Sequence, residues 1–424
     1  MSAPASSLTE RKNLIAGLVG SVMEWYDFAI YGYFAPIIAT LFFPTGDKFT
    51  SLIATFGVFA VGFVSRPIGS LLFGHLGDRA GRKRVLAASI LLMALPTALI
   101  GLLPTYDRIG VAAPIVLTLL RVAQGLSVGG EMPGSAVFLV EHARPGRRGF
   151  AGSWAVFGIS AGVLLGSGIA TLLNAIFSHA AVVSFAWRIP FLLGVLIAGI
   201  GVYIRRAISE SSTFESLKSS GDISSTPILD AFRDHWRLIV ATLFATYGFA
   251  VAGVTFAIYM ATYLSAETEI TLAAGLEVST ICIAIMAILC PLMGALSDRV
   301  GRKPLLLAGF GGLLLFSYPG FLLLLHQSFY LDLTSQIVFA VLLAALGGVY
   351  PAAMVEHFPV RIRVTGIALS YNTAFAIFGG TAPLIATLLI KETGSKVGPS
   401  FYFMFSAAVS FLVFLRLRET YQDQ

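Results

Sequence analysis

The sequence predicts an all-α integral membrane protein, with twelve transmembrane helices in two pseudo-symmetric six-helix bundles. Three observations lead there. Of the 424 residues, 57% are hydrophobic and only 12% charged, where a soluble domain carries roughly 25% charged residues; mean hydropathy is +0.85. A hydrocarbon core about 30 Å thick needs roughly 20 apolar residues per helical span, and twelve such runs are present. Finally, the chain repeats itself at a fixed offset.

The first run, 15–43, is too long for a signal-peptide core and has no small-residue cleavage site after it, so it is kept as a mature helix. Runs 51–76, 85–103, 112–141, 150–177 and 187–207 complete the first six. The second six are 238–265, 272–297, 304–325, 334–358, 364–390 and 398–418. A Ser- and charge-rich joint separates them, which divides the chain into an N-terminal bundle (1–207), a central cytoplasmic loop (208–237) and a C-terminal bundle (238–424).

A net charge of +6 raises the question of nucleic acid, but its distribution is topological. With a cytoplasmic N-terminus, 21 Lys and Arg fall on inner segments and 5 on outer ones, the other two being Arg66 and Arg121 within spans. That bias sets both termini in the cytoplasm by the positive-inside rule. No nucleic-acid partner is expected; the partners are the lipid bilayer and a small polar organic solute. Cys282 and Cys290 share one run and read as buried thiols. The six histidines form no ligand-spaced cluster, so no metal and no cofactor is expected.

The repeat is explicit. "GHLGDRAGRKR" at 74–84 recurs as "GALSDRVGRK" at 294–303, and "VEH" at 140–142 recurs at 355–357, each time before an arginine-bearing turn. The offsets are 220 and 215 residues. Parallel halves with a substrate site between them suit alternating access by rocking.

The paired G-x-x-x-D-R-x-G-R-K loops resemble the signature of the major facilitator superfamily. Within it the chain is similar to the metabolite–proton symporter family, which carries citrate, α-ketoglutarate, shikimate or proline and betaine. The likeness rests on "EWYDFAIYGYFAP" (24–36), "SRPIGSLLFGHLGDRAGRKR" (65–84), "RVAQGLSVGGE" (121–131) and "WRIPF" (187–191); "AFAIFGGTAPLIATLLIKETG" (374–394) looks closest to the organic-acid members. It implies a bacterial inner-membrane protein working as a monomer, with protons as the coupling ion. A long C-terminal coiled coil, found in some osmolyte-sensing relatives, is not expected. The Gly-Pro-rich motif typical of proton antiporters lacks its proline on the fifth helix, which speaks against a drug exporter. Gly158, Gly162 and Gly166 there have small-xxx-small spacing and read as packing.

Asp78, Arg79 and Arg82 of the first repeated loop, with Glu141, form a charge cluster at helix ends on the cytoplasmic face. Asp298, Arg299, Arg302 and Glu356 repeat it in the second half. Such a network can hold the cytoplasmic ends together in one conformation and release them in the other, a gating role that the resemblance also implies.

Deep charge is confined to the first half: Glu24, Asp27, Arg66, Arg121 and Glu131. At about 1.5 Å per residue, Glu24, Arg66 and Glu131 lie roughly 14–15 Å from the cytoplasmic end, near the midplane. Glu24 and Asp27 share one helix face, which Tyr31 continues, and ionised groups in lipid must face inward. Arg66 is the depth-matched partner of Glu24. A buried Glu–Arg pair can be purely structural; as a device, substrate engaging Arg66 would free the acid to take a proton. Glu24, Asp27 and, after them, Glu131 are therefore the proton-coupling candidates. Arg66, Arg121, Gln124, Tyr31, Tyr247, Tyr371 and Asn372 are the substrate-binding candidates. For Arg121 the resemblance implies proton transfer or anion binding.

The leading functional reading is proton-coupled uptake of a small carboxylate-bearing metabolite, a di- or tricarboxylic acid. The alternative is a zwitterionic osmolyte such as proline or betaine, its ammonium caged by Trp25, Tyr26, Tyr31 and Tyr33 through cation–π contact. A non-transporting sensor is the reading from another class. No nucleophile–base set or phosphate loop points to an enzyme.

Overall fold

In the computed structural model, residues 7–70, 82–127, 131–206, 227–326 and 328–421 are described, and no strand occurs among them. The first half comprises α1 (Ser7–Tyr33, resuming as Ala35–Phe42), α2 (Lys48–Ser70), α3 (Arg82–Leu102), α4 (Ala112–Ser127 and Glu131–Glu141), α5 (Arg148–Ile176) and α6 (Arg188–Arg206). A short lead-in, His179–Ala186, meets α6 at a 50° bend. The second half comprises α7 (Pro227–Val254 through Met260–Glu267), α8 (Leu272–Val300), α9 (Arg302–Leu324), α10 (Phe329–His357), α11 (Arg363–Ala374 through Ala382–Thr393) and α12 (Gly398–Arg416). Nine of these are long and apolar enough to cross a membrane, ten with the bent pair, among the described residues.

The helices outrun the apolar runs. α1 begins at Ser7, α7 at Pro227 and α10 at Phe329, several residues before the hydrophobic pattern starts. Hydropathy reports only the apolar part of each helix, while the backbone hydrogen-bond ladder continues beyond it. Local chemistry sets several ends. The Asp47 carboxylate accepts the Thr50 N–H at 3.0 Å to cap α2, and the Thr271 hydroxyl accepts that of Ala274 at 3.3 Å to cap α8. Gly301 turns α8 into α9 at φ +100°, a region open to glycine.

Small residues bring the helices together. A Cβ on Gly162 of α5 would strike the Val22 backbone of α1, and one on Gly125 of α4 would strike the Gly62 carbonyl and Ser65 hydroxyl of α2. The same occurs between the halves: Gly149 of α5 abuts Gly294 of α8, and α5–α8 is the most extensive helix pair. The outer surface is apolar, with Leu95, Leu119, Ile288, Leu315 and Phe405 exposed as lipid-facing groups.

α7 and α11 each contain one π-helical segment, Thr255–Tyr259 and Phe375–Gly379. Such segments widen the helix locally and often mark functional sites. Both meet the first half here. Tyr33 of α1 donates its hydroxyl to the Ala257 carbonyl, and Phe375 faces Trp25.

Gly125→Val should overpack the α2–α4 contact and cost about 1–3 kcal/mol, lowering the thermal unfolding midpoint in detergent. Gly168→Ala, with open space at its Cβ, should leave the midpoint unchanged or raise it.

Candidate functional site

Two buried ion pairs occupy the first half. Glu24 of α1 pairs with Arg66 of α2, their residues 2% and 1% exposed. The Arg66 guanidinium lies 4.9 Å from the Phe63 ring centre, 5.2 Å from Phe28 and 5.9 Å from Trp25. Its Nε and Nη1 have no hydrogen-bond partner among the described residues.

One turn further along α1, Asp27 sits in a denser cage. Arg121 of α4 lies 3.4 Å from Oδ2, while Thr97 of α3 and the Gln124 amide donate to Oδ1 at 2.5 and 2.8 Å. Gln124 in turn accepts from Arg121 at 2.9 Å. The Arg121 guanidinium is enclosed by the rings of Tyr31, Phe28 and Phe59 at 4.4, 4.7 and 5.7 Å. Thr97 was not among the sequence candidates. A lone threonine in "ALPTALI" carries no periodic signal; only the fold shows that it reaches Asp27.

Several substrate-binding candidates have protein partners in this structure. The amide of Gln124 is consumed by Arg121, Asp27 and Thr97. Tyr31 donates its hydroxyl to the Thr55 carbonyl at 3.1 Å and uses its ring as a platform for Arg121. Tyr247 packs on Phe378 at 4.0 Å, toward Tyr402 and Phe405 of α12, away from the ion pairs. Of the aromatic residues expected to cage an ammonium, Tyr26 donates its hydroxyl to the Pro190 carbonyl and Tyr33 to that of Ala257.

A different aromatic wall forms across the two halves. Trp25 faces Phe375 of α11 at 5.8 Å, Phe375 stacks on Tyr371 at 4.3 Å, and Tyr371 approaches Tyr350 of α10 at 6.4 Å. Trp25 Nε1 and the Tyr371 hydroxyl lack hydrogen-bond partners among the described residues. Asn372 is buried beside Tyr371. The centre of the molecule thus combines two spare Arg66 donors, an indole N–H and a phenol with an aromatic surface.

The halves are latched at both faces. On the face bearing the basic loops, Asp298 at the end of α8 accepts the N–H groups of Gly149 and Phe150, both at 2.8 Å, at the first turn of α5. A carboxylate there meets unpaired amides and the positive end of the helix dipole. Arg302 holds Asp298 at 2.8 Å and grips Glu356 through two hydrogen bonds at 3.1 and 3.2 Å. Glu141 pairs with Arg363 at the start of α11, 2.5 Å away, which makes it a link between halves. Arg299 is exposed and has no ion pair among the described residues, so it stands outside this latch. Asp78 and Arg79 lie outside the described residues, as do the side chains of Arg82 and Glu131. At the opposite face Lys391 reaches Asp47 at 3.3 Å, and Thr171 meets Thr280 at 3.1 Å. Hydrogen bonds from Thr50, with Lys391 nearby, hold the Asp47 carboxyl down at about 2.

The tail adds a strap. Glu419 accepts the backbone N–H groups of Arg302 and Lys303 at 3.0 and 2.9 Å, and Thr420 donates to Glu356 at 2.6 Å. Burial raises the Glu419 carboxyl, but four backbone N–H donors outweigh it and leave it below its ordinary 4.5.

With this geometry in place, comparison with known proteins decides the family. The Major Facilitator Superfamily model matches residues 17–317 and 238–423. The chain belongs to the major facilitator superfamily. It is 34% identical over 422 residues to the glycine betaine/proline/ectoine/pipecolic acid transporter OusA of Dickeya dadantii, covering 97% of this chain and 83% of that one. It is 36% identical over 410 residues to a putative proline/betaine transporter of Staphylococcus aureus, covering 95% and 87%. The fold also matches the xylose transporter XylE from E. coli in a partially occluded inward open conformation, with a TM-score of 0.76, 18% identity, and coverage of 98% and 99%. The protein is thus a multi-pass membrane transporter and not an enzyme.

Asp298→Asn should loosen the basic face. In a background without Cys282 and Cys290, thiol labelling at Ser153→Cys, buried against Gly294, should accelerate roughly tenfold, the equivalent of about 1.4 kcal/mol. For Glu419 the lowered value means its contribution is complete above pH 4.5 and lost as pH falls through the folded value. The anisotropy of a dye at the chain end should therefore stay constant from pH 8 to 5 and drop only on further acidification.

Proposed function

We propose that the protein imports a small zwitterion of the betaine or proline type together with protons, its basic face being cytoplasmic. The observation that carries this reading is the charge balance at the centre. Two deep arginines suit a carboxylate or a zwitterion alike, and Arg66 and Arg121 each face an acid, Glu24 and Asp27. The four described central charges sum to zero, so a dianion would meet no unpaired positive charge among them. A molecule of zero net charge leaves the balance intact. The curated relatives, named for glycine betaine and proline, support the same choice.

The substrate carboxylate is received by one of the spare Arg66 donors, Nε or Nη1, which lie on opposite sides of a guanidinium whose Nη2 holds Glu24. The ammonium end lies against Trp25, Phe375 and Tyr371, whose rings attract cations with about 0.5–2 kcal/mol. Because those rings belong to both halves, binding bridges the interface that alternating access must rearrange.

Coupling follows from competition. Among the described residues Glu24 has Arg66 as its one ion-pair partner, whereas Asp27 is held by Arg121, Gln124 and Thr97. Substrate taking Arg66 leaves the Glu24 carboxylate uncompensated in a dry interior, where it accepts a proton. Asp27 with Arg121 keeps the neighbouring turn of α1 anchored and is the second candidate carrier. One proton with a neutral solute moves one charge inward, a gain of about 2.3 kcal/mol per 100 mV, or roughly fifty-fold accumulation. A tricarboxylate would need about four protons for the same gain.

Uptake into proteoliposomes under an inward proton gradient tests this, using labelled glycine betaine, proline, citrate and α-ketoglutarate. Glycine betaine or proline should accumulate, and collapse of the gradient should stop it; accumulation of the acids alone would overturn the zwitterion reading. Trp25→Ala should raise the KM for glycine betaine roughly tenfold. Glu24→Gln should retain exchange of internal for external substrate while losing gradient-driven accumulation.

A further inference from the structure

α10 carries a buried acid that the transport reading does not use. The hydropathy pattern placed the tenth span at 334–358, but the helix begins at Phe329 and takes Asp332 inside with it. Asp332 is 0% exposed, and neither carboxylate oxygen has a partner among the described residues. Gln336, one turn along the same face, is also 0% exposed, with both its amide oxygen and nitrogen unpartnered. From α8, Cys282 Sγ lies 4.0 Å from the Leu333 carbonyl, and Ser279, one turn before it, has a buried unpartnered hydroxyl.

Among the described residues, the titratable surroundings of Asp332 hold no positive charge. α7 contributes Tyr263, within electrostatic reach of Asp332, with Glu267 beyond it. α8 contributes Cys282; α9 contributes Gly320 and Phe321 in the same region, through the Ser335–Gly320 hydrogen bond and the Phe321–Phe339 ring contact. The one charged residue of α5, Arg148, lies at the far end of its helix.

An ionised carboxylate in this position would have no ion-pair partner among the described residues, only the positive end of its own helix dipole. Each unpartnered buried polar atom adds its own desolvation penalty. These costs vanish if one positive charge resides at the carboxylate and Gln336 supplies the neighbouring hydrogen bond or oxygen ligand. We propose that Asp332 and Gln336 form a monovalent-cation site in the second half, taking a proton or a sodium ion, separate from the Glu24 and Asp27 pairs.

Infrared difference spectroscopy of the full-length protein in liposomes tests it, in sodium and in choline buffers between pH 5 and 9. If the occupant is a proton, wild type shows a protonated-carboxyl C=O band in both buffers at neutral pH, and Asp332→Asn lacks it. If it is sodium, the band appears in choline and is lost on titration with sodium. Gln336→Leu, which leaves the acid in place, should shift the band to higher frequency, and this arm decides the matter should Asp332→Asn fail to fold. Superimposable wild-type and Asp332→Asn spectra in both buffers at every pH would overturn the proposal, as would a band position indifferent to Gln336→Leu.

Discussion

Charge compensation inside a low-dielectric bundle is the constraint on which the rest depends. An isolated ion in such a place is costly, and removing one member of a buried pair leaves the other uncompensated. The protein meets this by pairing each described deep charge in its first half: Glu24 with Arg66, and Asp27 with Arg121. Pairing makes the interior tolerable, and it also makes it responsive. A ligand that engages one partner changes the state of the other without any contact to it. The aromatic rings around both guanidinium groups exclude water and keep that competition sharp.

Closure of the molecule uses the same physics in weaker form. Near the surface an ion pair is individually worth about 0–1 kcal/mol, so Glu141–Arg363 and Asp47–Lys391 contribute small, reversible increments. Asp298 is better placed because it meets the unpaired amides of α5 as well as Arg302. Close approach of glycines at the α5–α8 contact brings those amides within its reach. Packing thus positions the latch, and electrostatics sets how readily it opens. A structure joined at both faces, with its central groups buried, holds the two halves in a closed arrangement.

The second half differs in kind. Its central contribution is aromatic and neutral, from Tyr350, Tyr371 and Phe375, and the π-helical segment of α11 presents Phe375 to Trp25. One half supplies charge and the other supplies aromatic surface, and the two kinds of group come together where the halves meet.

The sequence by itself determined the solvent, the all-helical class and the inward turn of Glu24, Asp27, Arg66 and Arg121. Each of these follows from local composition and period, which the cost of polar groups in lipid enforces residue by residue. It also paired Glu24 with Arg66, because depth along a helix is a simple count. The tertiary structure alone decided which polar groups were already spent. Gln124 and Tyr31 looked available until Thr97, Asp27 and Thr55 were seen to occupy them, and Tyr247 looked central until α7 was seen to turn it toward α12. Asp332 escaped the sequence reading because an acid ends a hydropathy window, whereas a helix continues through it. Hydrogen bonds and ion pairs are relations between helices distant in the chain, and no pattern within one helix records them.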